Sequence, residues 1–441
     1  MKFAISNLHS SSACLSEIMA ENHYSWSIVA RLFKAALSEC NLEHTELKEP
    51  HAVNKRNLNM YGLDSGDIHL SFRPREHIRL CKPIKNIAHL AWEFPSLQSD
   101  NVYELCSKYP GSPFNHGIPN VLRKFEHIWV GSAFAMQAYK NKGLNNVRVV
   151  PAPICSIKDQ IPFYQKPDSY HYSRRARLSL YIIKAARDIK ASLYPLNYLG
   201  HRFSNIQSAL DVEPQSFDTL LLNSKKQGGV IVGLVANPHD RRKNILNAIR
   251  GFLMALPALP NGSILILKLS CRESFNDMYH SVYSWLFNTH AINAPSVYVT
   301  TDFIETDSMP FFYAALDYYL CTSYCEGQNL PLLEAMSRGT IPISVNSTAM
   351  ADYISASNAF VIPSFSSRVN SRIHPDRFYW GLEWFDTRPV DIATTITEAA
   401  HADKKKLELM SKLNTQIVKD KYSYQAIASL IKSNIANIDS N

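Results

Sequence analysis

The apolar positions of this chain fall into short runs separated by polar turns and helical stretches. Ile128-Trp129-Val130 is one such run; Gly131-Ser132 follows, then a helical stretch Ala133–Lys142 closed by Gly143, then a second run, Val147–Val150. Strand, helix and strand in that order predict a parallel sheet with helices on its faces. The pattern restarts at Gly228-Gly229. A strand over Val230–Ala236 leads through a polar turn into a helix over Asn244–Leu256, and Ser263–Leu269, Val297–Thr300, Leu316–Ser323 and Thr340–Val345 are further strands. A helix is expected over Leu330–Ser337, with Gly339 suited to its C′ position. Two doubly wound units are therefore predicted, meeting near Thr219–Gly229, with a final helical stretch at Tyr424–Ile438.

One segment departs from this alternation. Within a basic stretch of about 170–205, Arg174–Leu193 reads as one amphipathic helix. Leu178, Ile182, Ala185, Ile189 and Leu193 share a face, with Lys184, Arg187 and Lys190 opposite. It is either a solvated connecting helix or a basic helix resting on an anionic membrane surface. Between Pro151 and Ser204 nine basic residues face three acidic ones, so this segment holds most of the net charge of +8. A local excess of that kind suits an anionic partner.

Composition narrows the class. The chain has 441 residues, 46% hydrophobic and 19% charged, which is globular and long enough for two or three domains. No apolar run approaches the ~18 residues of a membrane span, and Met1–Ile5 is too short for a secretory leader. A soluble, cytoplasmic protein is expected. Its eight cysteines are irregularly spaced and lack a CxxC pair; zinc is not indicated, and they read as reduced, mostly buried thiols.

The stretch with chemical content is Cys321–Pro342. Glu326 and Glu334 stand eight apart. With 18 glutamates in the chain, about one such pair is expected by chance, so context must carry the argument. A strand ends at Ser323, a glycine-containing turn follows, and a helix begins near Leu330 with Pro331 in its first turn. Backbone N–H groups at such a helix start are unpaired and suit a phosphate. Glu326 lies on the turn. Glu334 lies within the helix, where a carboxylate can accept two hydroxyl hydrogen bonds, as a ribose requires.

This block resembles the EX7E motif of retaining glycosyltransferases of the GT-B fold, particularly family 4. Ile128–Phe134, Gly143 and Val147–Pro153 are similar to the end of that family's N-terminal domain. Gly233–Ala255, with Asp240-Arg241-Arg242-Lys243-Asn244, is similar to the start of its nucleotide-binding domain. The resemblance covers about 120–154 and 228–354. It implies an α/β, GT-B architecture of two Rossmann-like domains facing a central cleft, one acceptor-side domain over 1–222 and one nucleotide-sugar domain over 223–423, with 424–441 packing back on the first.

The resemblance also implies roles. Glu326 would contact the donor sugar's hydroxyls. Gly327, Gln328, Asn329 and Leu330 would present amides to sugar and diphosphate, and Glu334 would hold the ribose. Lys243 matches the lysine that neutralises the diphosphate. The family's arginine, about five residues earlier, falls near Pro238 and is absent; Arg242 or Arg241 is the substitute. Lys268 is a second candidate phosphate ligand, and the base would lie against Asp302-Phe303-Ile304. Cations are needed because the leaving nucleoside diphosphate gains negative charge as the glycosidic bond breaks. No Asp-x-Asp occurs in the chain, which favours a metal-independent reaction with a UDP- or GDP-sugar and no other cofactor.

On the acceptor side, Ile87–Pro95 reads as a strand running to the cleft. Trp92-Glu93 stands where the family often has a histidine, making Glu93 a candidate for contacting the acceptor or the reacting sugar. His69, Arg73 and Arg75 could line the same face. Asn7–Ser12 replaces the Gly-rich loop expected after the first strand. The expected function is transfer of a sugar to a glycan or lipid-linked acceptor, as in bacterial surface polysaccharide assembly, with the basic helix at the cytoplasmic face of the inner membrane. The alternatives are a degenerate GT-B nucleotide-binding or regulatory module, or another GT-B enzyme such as an epimerase. Nucleic-acid binding has no recognised motif in its favour.

Overall fold

The computed structural model describes residues 1–7, 24–74, 77–97, 122–154, 179–182, 215–270, 296–300, 304, 308–370 and 379–439. Its first unit runs β1 (Phe3–Asn7), α1 (Tyr24–Glu39), β2 (His44–Glu46), β3 (Ile68–Phe72), β4 (Lys85–Leu90), β5 (His127–Val130), α2 (Ala133–Lys140) and β6 (Val147–Val149). The six strands form one parallel sheet in the order β2-β1-β3-β4-β5-β6. β3 and β5 are buried at every position, as expected where helices cover both faces of a sheet. Ser132 starts α2 by accepting the Ala135 N–H through its hydroxyl at 3.2 Å.

The second unit adds β7 (Ser179–Ile182), β8 (Gln215–Ser216), α3 (Phe217–Lys226), β9 (Ile231–Ala236), α4 (Ile245–Ala255), β10 (Ile264–Leu269), β11 (Val297–Thr300), α5 (Met309–Ala315), β12 (Tyr318–Cys321), α6 (Leu330–Ser337), β13 (Ile341–Ser344) and β14 (Phe360–Val361). The ribbon β15 (Phe365–Arg368) and β16 (Glu383–Asp386) follows, then α7 (Pro389–Ala400), α8 (Lys404–Tyr422) and α9 (Tyr424–Asp439). The sheet order is β14-β13-β12-β9-β10-β11-β7-β8. Its first six strands are parallel, and β7 and β8 join antiparallel. α9 packs on α1, and its Ile427, Ile431 and Ile435 share a core with Phe3, Phe33 and Trp129 of the first unit.

The expected helix over Arg174–Leu193 is corrected where the structure describes it. Ser179–Ile182 is the strand β7, paired with β11 through Tyr298↔Ile182 and Val299↔Tyr181. Leu180-Tyr181-Ile182 combines aromatic and β-branched residues that fit a pleated edge as readily as a helix face, and the open edge of β11 supplies the backbone partners. The rest of that segment, Phe303 and Asp302, Arg75 and Leu8–Ser12 lie outside the described residues. The strand expected over Ile87–Pro95 stops at Leu90; beyond it the Trp92 indole N–H donates to the Ser96 carbonyl at 3.2 Å and holds a loop. Cys81, Cys321 and Cys325 are buried free thiols, and Cys40 is half-buried.

The start of β9 lies close to the turn before β10. A Cβ on Gly229 would sit 2.2 Å from the Gly262 carbonyl carbon, whereas one on Gly66 would meet nothing within 4 Å. Backbone cannot yield to such a contact as a side chain can. Gly229→Ala is therefore expected to destabilise the protein by about 1–3 kcal/mol and Gly66→Ala to change it little, as read by denaturant unfolding. Equal stability of the two variants would contradict the close approach.

Candidate active site

Two turns at the carboxyl ends of β9 and β12 build the site. The first is Asp240–Asn244. The Asp240 carboxylate caps it by accepting the Arg242 N–H at 3.1 Å, and Arg241–Lys243 forms a short 3-10 turn. Asn244 ends it at φ 53°, in the left-handed region that asparagine tolerates better than most residues. The second turn is Thr322–Asn329. It is tied to the first by the Thr322 hydroxyl, which donates to the Lys243 and Asn244 carbonyls at 3.3 and 3.2 Å, and by the Tyr324 N–H on the Arg242 carbonyl at 2.8 Å. Asn329, at φ 64°, caps α6 with its side-chain oxygen on the Leu332 N–H and donates from its amide to the Cys321 sulfur at 3.1 Å. A small cavity between the two turns is lined by Lys243, Thr322, Ser323, Glu326 and Asn329.

The charged residues are gathered and paired there. Lys243 Nζ donates to Glu326 Oε1 at 2.6 Å. Arg242 makes two bonds to Asp240, Nε to Oδ1 at 3.1 Å and Nη2 to Oδ2 at 2.7 Å. Its Nη1 lies 3.1 Å from Glu93 Oε1 of the first unit, an ion pair without the alignment of a hydrogen bond. Burial alone would raise the Asp240 carboxyl, but Arg242 and Lys243 hold it below its ordinary value. Burial likewise works against the charged forms of Arg242 and Lys243, and the carboxylates outweigh it: Asp240 and Glu93 raise Arg242, and Glu326 and Asp240 raise Lys243.

Glu326 is 4% exposed. Its own N–H donates to the Thr348 hydroxyl at 3.1 Å, and Thr348 adopts φ 54°, a costly conformation for a β-branched residue and the kind of strain that gathers at functional positions. Next to it, the N–H groups of Gly327, Gln328, Asn329 and Leu330 have no acceptor among the described residues. Open amides at a helix start suit an anion. Glu334 lies one turn into α6. Burial pushes its carboxyl up to about 7, against the Tyr313 hydroxyl that donates to Oε2 at 2.7 Å and the charge of Arg338.

Both units contribute. The Gln328 side chain makes a two-point clasp on Ala152, accepting its N–H at 2.8 Å and donating to its carbonyl at 2.7 Å. A Cβ on Gly327 would lie 3.1 Å from the Trp92 carbonyl oxygen, and one on Gly131 2.9 Å from Gln328 Oε1. Asp352 of the second unit accepts the Ala133 N–H at the start of α2 at 2.8 Å.

Of the residues singled out in the sequence, Glu93, Arg242, Lys243, Glu326 and the 327–330 amides are brought together at this seam. Lys268 is buried at the carboxyl end of β10 and donates to the Ser270 hydroxyl at 3.3 Å. The expectation that His69 lines the cleft is corrected. It is buried within the first sheet between Ser6 and Asn86, each 2.8 Å away, and burial lowers it to about 4. Arg73 donates instead to the Lys48 carbonyl at 2.6 Å. Sequence reasoning missed Asp240, Tyr313, Thr348 and the clasp of Gln328. Only Asp240 carried a local signal, an aspartate opening a turn.

No protein-family profile and no curated protein matches this chain. Solved structures do. Sucrose-phosphate synthase from Thermosynechococcus elongatus is 12% identical with a TM-score of 0.55, over 100% of this chain and 99% of that one. HepE from Anabaena, in complex with UDP-glucose, is 10% identical with a TM-score of 0.54, over 99% and 100%. TarM from S. aureus is 10% identical with a TM-score of 0.48 over 85% of this chain, which spans 56% of that protein's length. At such identities the likeness is one of fold, and the fold is GT-B: two Rossmann-like α/β units facing a cleft.

The pairing of Arg242 with Glu93 has a measurable consequence. A carboxylate facing the guanidinium competes with any phosphate that would take its place. Glu93→Gln is expected to tighten inorganic pyrophosphate binding severalfold, and Arg242→Ala to weaken it by about tenfold, the effect of one charge-assisted contact. Calorimetry reads both. Equal affinity of Glu93→Gln and wild type would show that the carboxylate does not compete.

Proposed function

We propose that this protein is a glycosyltransferase that moves a sugar from a UDP- or GDP-sugar to a glycan or lipid-linked acceptor, with retention at the anomeric carbon and without a metal. One observation carries the reading: four open backbone amides at Gly327–Leu330 follow Glu326, which pairs with the half-buried Lys243 next to Arg242, between two Rossmann-like units. Amides and cations together form an electrostatic receptor for a diphosphate. In the reaction the donor's anomeric C–O bond breaks and a new bond forms to the acceptor oxygen, whose proton leaves with the nucleoside diphosphate. Lys243 and the amides stabilise the charge that builds on the leaving group. In this reading Glu326, once released from Lys243, would accept hydroxyls of the donor sugar. Glu334 would accept ribose hydroxyls in place of that of Tyr313.

Membership in a family 4-like group rests on the EX7E spacing of Glu326 and Glu334 and on the flanking residues. The HepE structure was obtained with UDP-glucose, which makes UDP-sugars the first donors to test. No helix among the described residues is long and apolar enough to cross a membrane. A cytoplasmic role in assembling surface polysaccharide fits a lipid-linked acceptor. A second reading, a nucleotide-binding module without turnover, draws on the same ion pairs, since both cations are already matched by carboxylates. Release of UDP from UDP-glucose on addition of a glycan acceptor separates the two, because the module binds without releasing product.

Glu334 supplies a test by pH. Its carboxyl sits at about 7 in the folded protein against an ordinary 4.5, so it is neutral below pH 7 and charged above. The folded state binds the extra proton between 4.5 and 7, and this group's contribution to stability falls as pH rises through that window. Ribose hydroxyls donate, so they favour the anion, and UDP affinity is expected to rise with pH up to about 7 and level off above it. The phosphate also titrates near 6. The ratio of wild-type to Glu334→Gln affinity isolates the glutamate, and a ratio independent of pH would remove Glu334 from the ribose site.

A further inference from the structure

The chain passes between the two units through two segments that lie side by side. The first follows β6. Val150 and Ala152 are buried in the core of the first unit with Phe3 and Trp129, and Ile154 is buried in the core of the second with Tyr422. The return runs through Ser423, between α8 and α9. The two segments pair in parallel at Ile154↔Ser423, and the Ile154 N–H donates to the Tyr422 carbonyl at 2.7 Å. The outgoing segment is stiff by composition. It reads Val150-Pro151-Ala152-Pro153-Ile154. Each proline fixes its own φ and pushes the residue before it toward an extended form. Within 151–154 the only backbone N–H groups are those of Ala152 and Ile154. Both are given to the second unit, Ala152 to Gln328 Oε1 at 2.8 Å and Ile154 to Tyr422.

Gln328 belongs to this crossing and to the candidate site at once. Its side chain grips both backbone groups of Ala152, while its own N–H is one of the open amides that follow Glu326. The peptide after it is fixed from another side, because the Tyr353 hydroxyl donates to the Gln328 carbonyl at 2.7 Å. A trans peptide is planar, with its C=O and N–H pointing in opposite directions. Holding the Gln328 carbonyl on Tyr353 therefore turns the open Asn329 N–H to the opposite side. Tyr353 is buried, and its ring meets that of Tyr422 edge-on with centroids 5.8 Å apart. The contacts close a circuit. It runs from the turn through Gln328 to Ala152, along the crossing to Ile154, across to Tyr422, and back through Tyr353 to the turn.

We propose that Gln328 is a positioning residue. Its side chain hangs the amides of 327–330 on the proline-stiffened crossing, so that an anion at those amides and the alignment of the two units favour one another. The inference rests on the diphosphate reading of this turn and adds what holds the turn in its receptive form. Amides stabilise an anion best when they are oriented before it arrives. A turn without the tether is ordered only on binding, which weakens affinity. The coupling is reciprocal: if the clasp favours the anion, the anion favours the clasp.

The test uses the full chain and inorganic pyrophosphate, with calorimetry for affinity and hydrogen exchange read by mass spectrometry. Gln328→Met, close in size but without either hydrogen bond, is expected to weaken pyrophosphate about tenfold and Tyr353→Phe severalfold, as the loss of two bonds and of one. The double variant falls short of the product of the two, as groups in one circuit do. Pyrophosphate slows exchange across 151–154 in wild type and not in Gln328→Met. A residue that only holds the fold together would lower the melting temperature and leave the affinity and the exchange response as in wild type; that outcome overturns the proposal. Tyr353→Phe loses a single hydroxyl and reads the circuit even where Gln328→Met does not fold, and wild-type affinity there would then overturn it. No pyrophosphate binding by wild type would sink the anion reading of the turn, and the role of Gln328 with it. Equal binding by wild type and both variants leaves that reading standing and removes the proposal alone.

Discussion

The seam between the two units is organised by a half-buried charge cluster. Arg242 and Lys243 meet Asp240, Glu326 and, from the first unit, Glu93. Removing such groups from water is costly unless each finds a partner; Arg242 is held by two hydrogen bonds to Asp240 of its own turn, and its remaining nitrogen faces Glu93 from a different sheet. That requirement draws the loop after β4 onto the turn after β9. The other contacts at the seam depend on the approach it imposes. The carbonyl of Trp92 packs on Gly327, and Gly131 comes so close to Gln328 that a Cβ would lie 2.9 Å from its oxygen. The clasp of Gln328 on Ala152 then closes the back of the site. Two cations against three carboxylates leave the cluster one negative charge in excess. Any anion entering it must displace a carboxylate and cannot simply add, so anion occupancy and the contact between units would be coupled through the same guanidinium.

The backbone around this cluster is held in unusual conformations for the same purpose. Asn244 and Asn329 both take left-handed φ values, each where a turn must reverse into a helix. Their side chains are tied as well, Asn244 to the Thr387 hydroxyl and Asn329 to Cys321 and the Leu332 N–H. Pro331 has no N–H to satisfy, and Asn329 takes that of Leu332. What remains open among the described residues is the run of amides from 327 to 330. Gly327, Gln328 and Leu330 are half-buried, so these donors are left to solvent or to an anion that would replace it.

The turns around Glu326 and Asp240 were legible in the sequence because each is local. Glu326 to Glu334 and Asp240 to Asn244 are two contiguous stretches, and the strands that aim them, Ile231–Ala236 and Tyr318–Cys321, are short apolar runs bounded by polar turns. Periodicity and turn chemistry act within such distances. The boundaries of α6 and β11 coincide with those expected. The helix expected over Arg174–Leu193 failed for the converse reason. Leu180-Tyr181-Ile182 has no intrinsic preference strong enough to decide, and the edge of β11 that captures it is more than a hundred residues away. His69 misled in a similar way. It alternates with apolar neighbours in β3, and only the sheet order reveals that Ser6 and Asn86 stand on either side of it.

The ribbon β15–β16 illustrates the limit most clearly. Ser96 is separated from Arg368 and Glu383 by some 270 residues of chain, and the ribbon that joins them has strands of four residues with exposed, polar faces. Nothing in Ser366-Ser367-Arg368 marks its setting in the fold. Its place comes from Trp384, which pairs with Ser367, buries against Tyr324 and the Trp92 cluster and fixes the ribbon to the turn that carries Glu326. A charged cluster can be built from one helix start and one turn, within the reach of local pattern. The setting of a ribbon is assembled from segments brought together by packing. The same physics that made Glu326 readable along the chain therefore left Arg368 unread until the fold set it opposite Glu383.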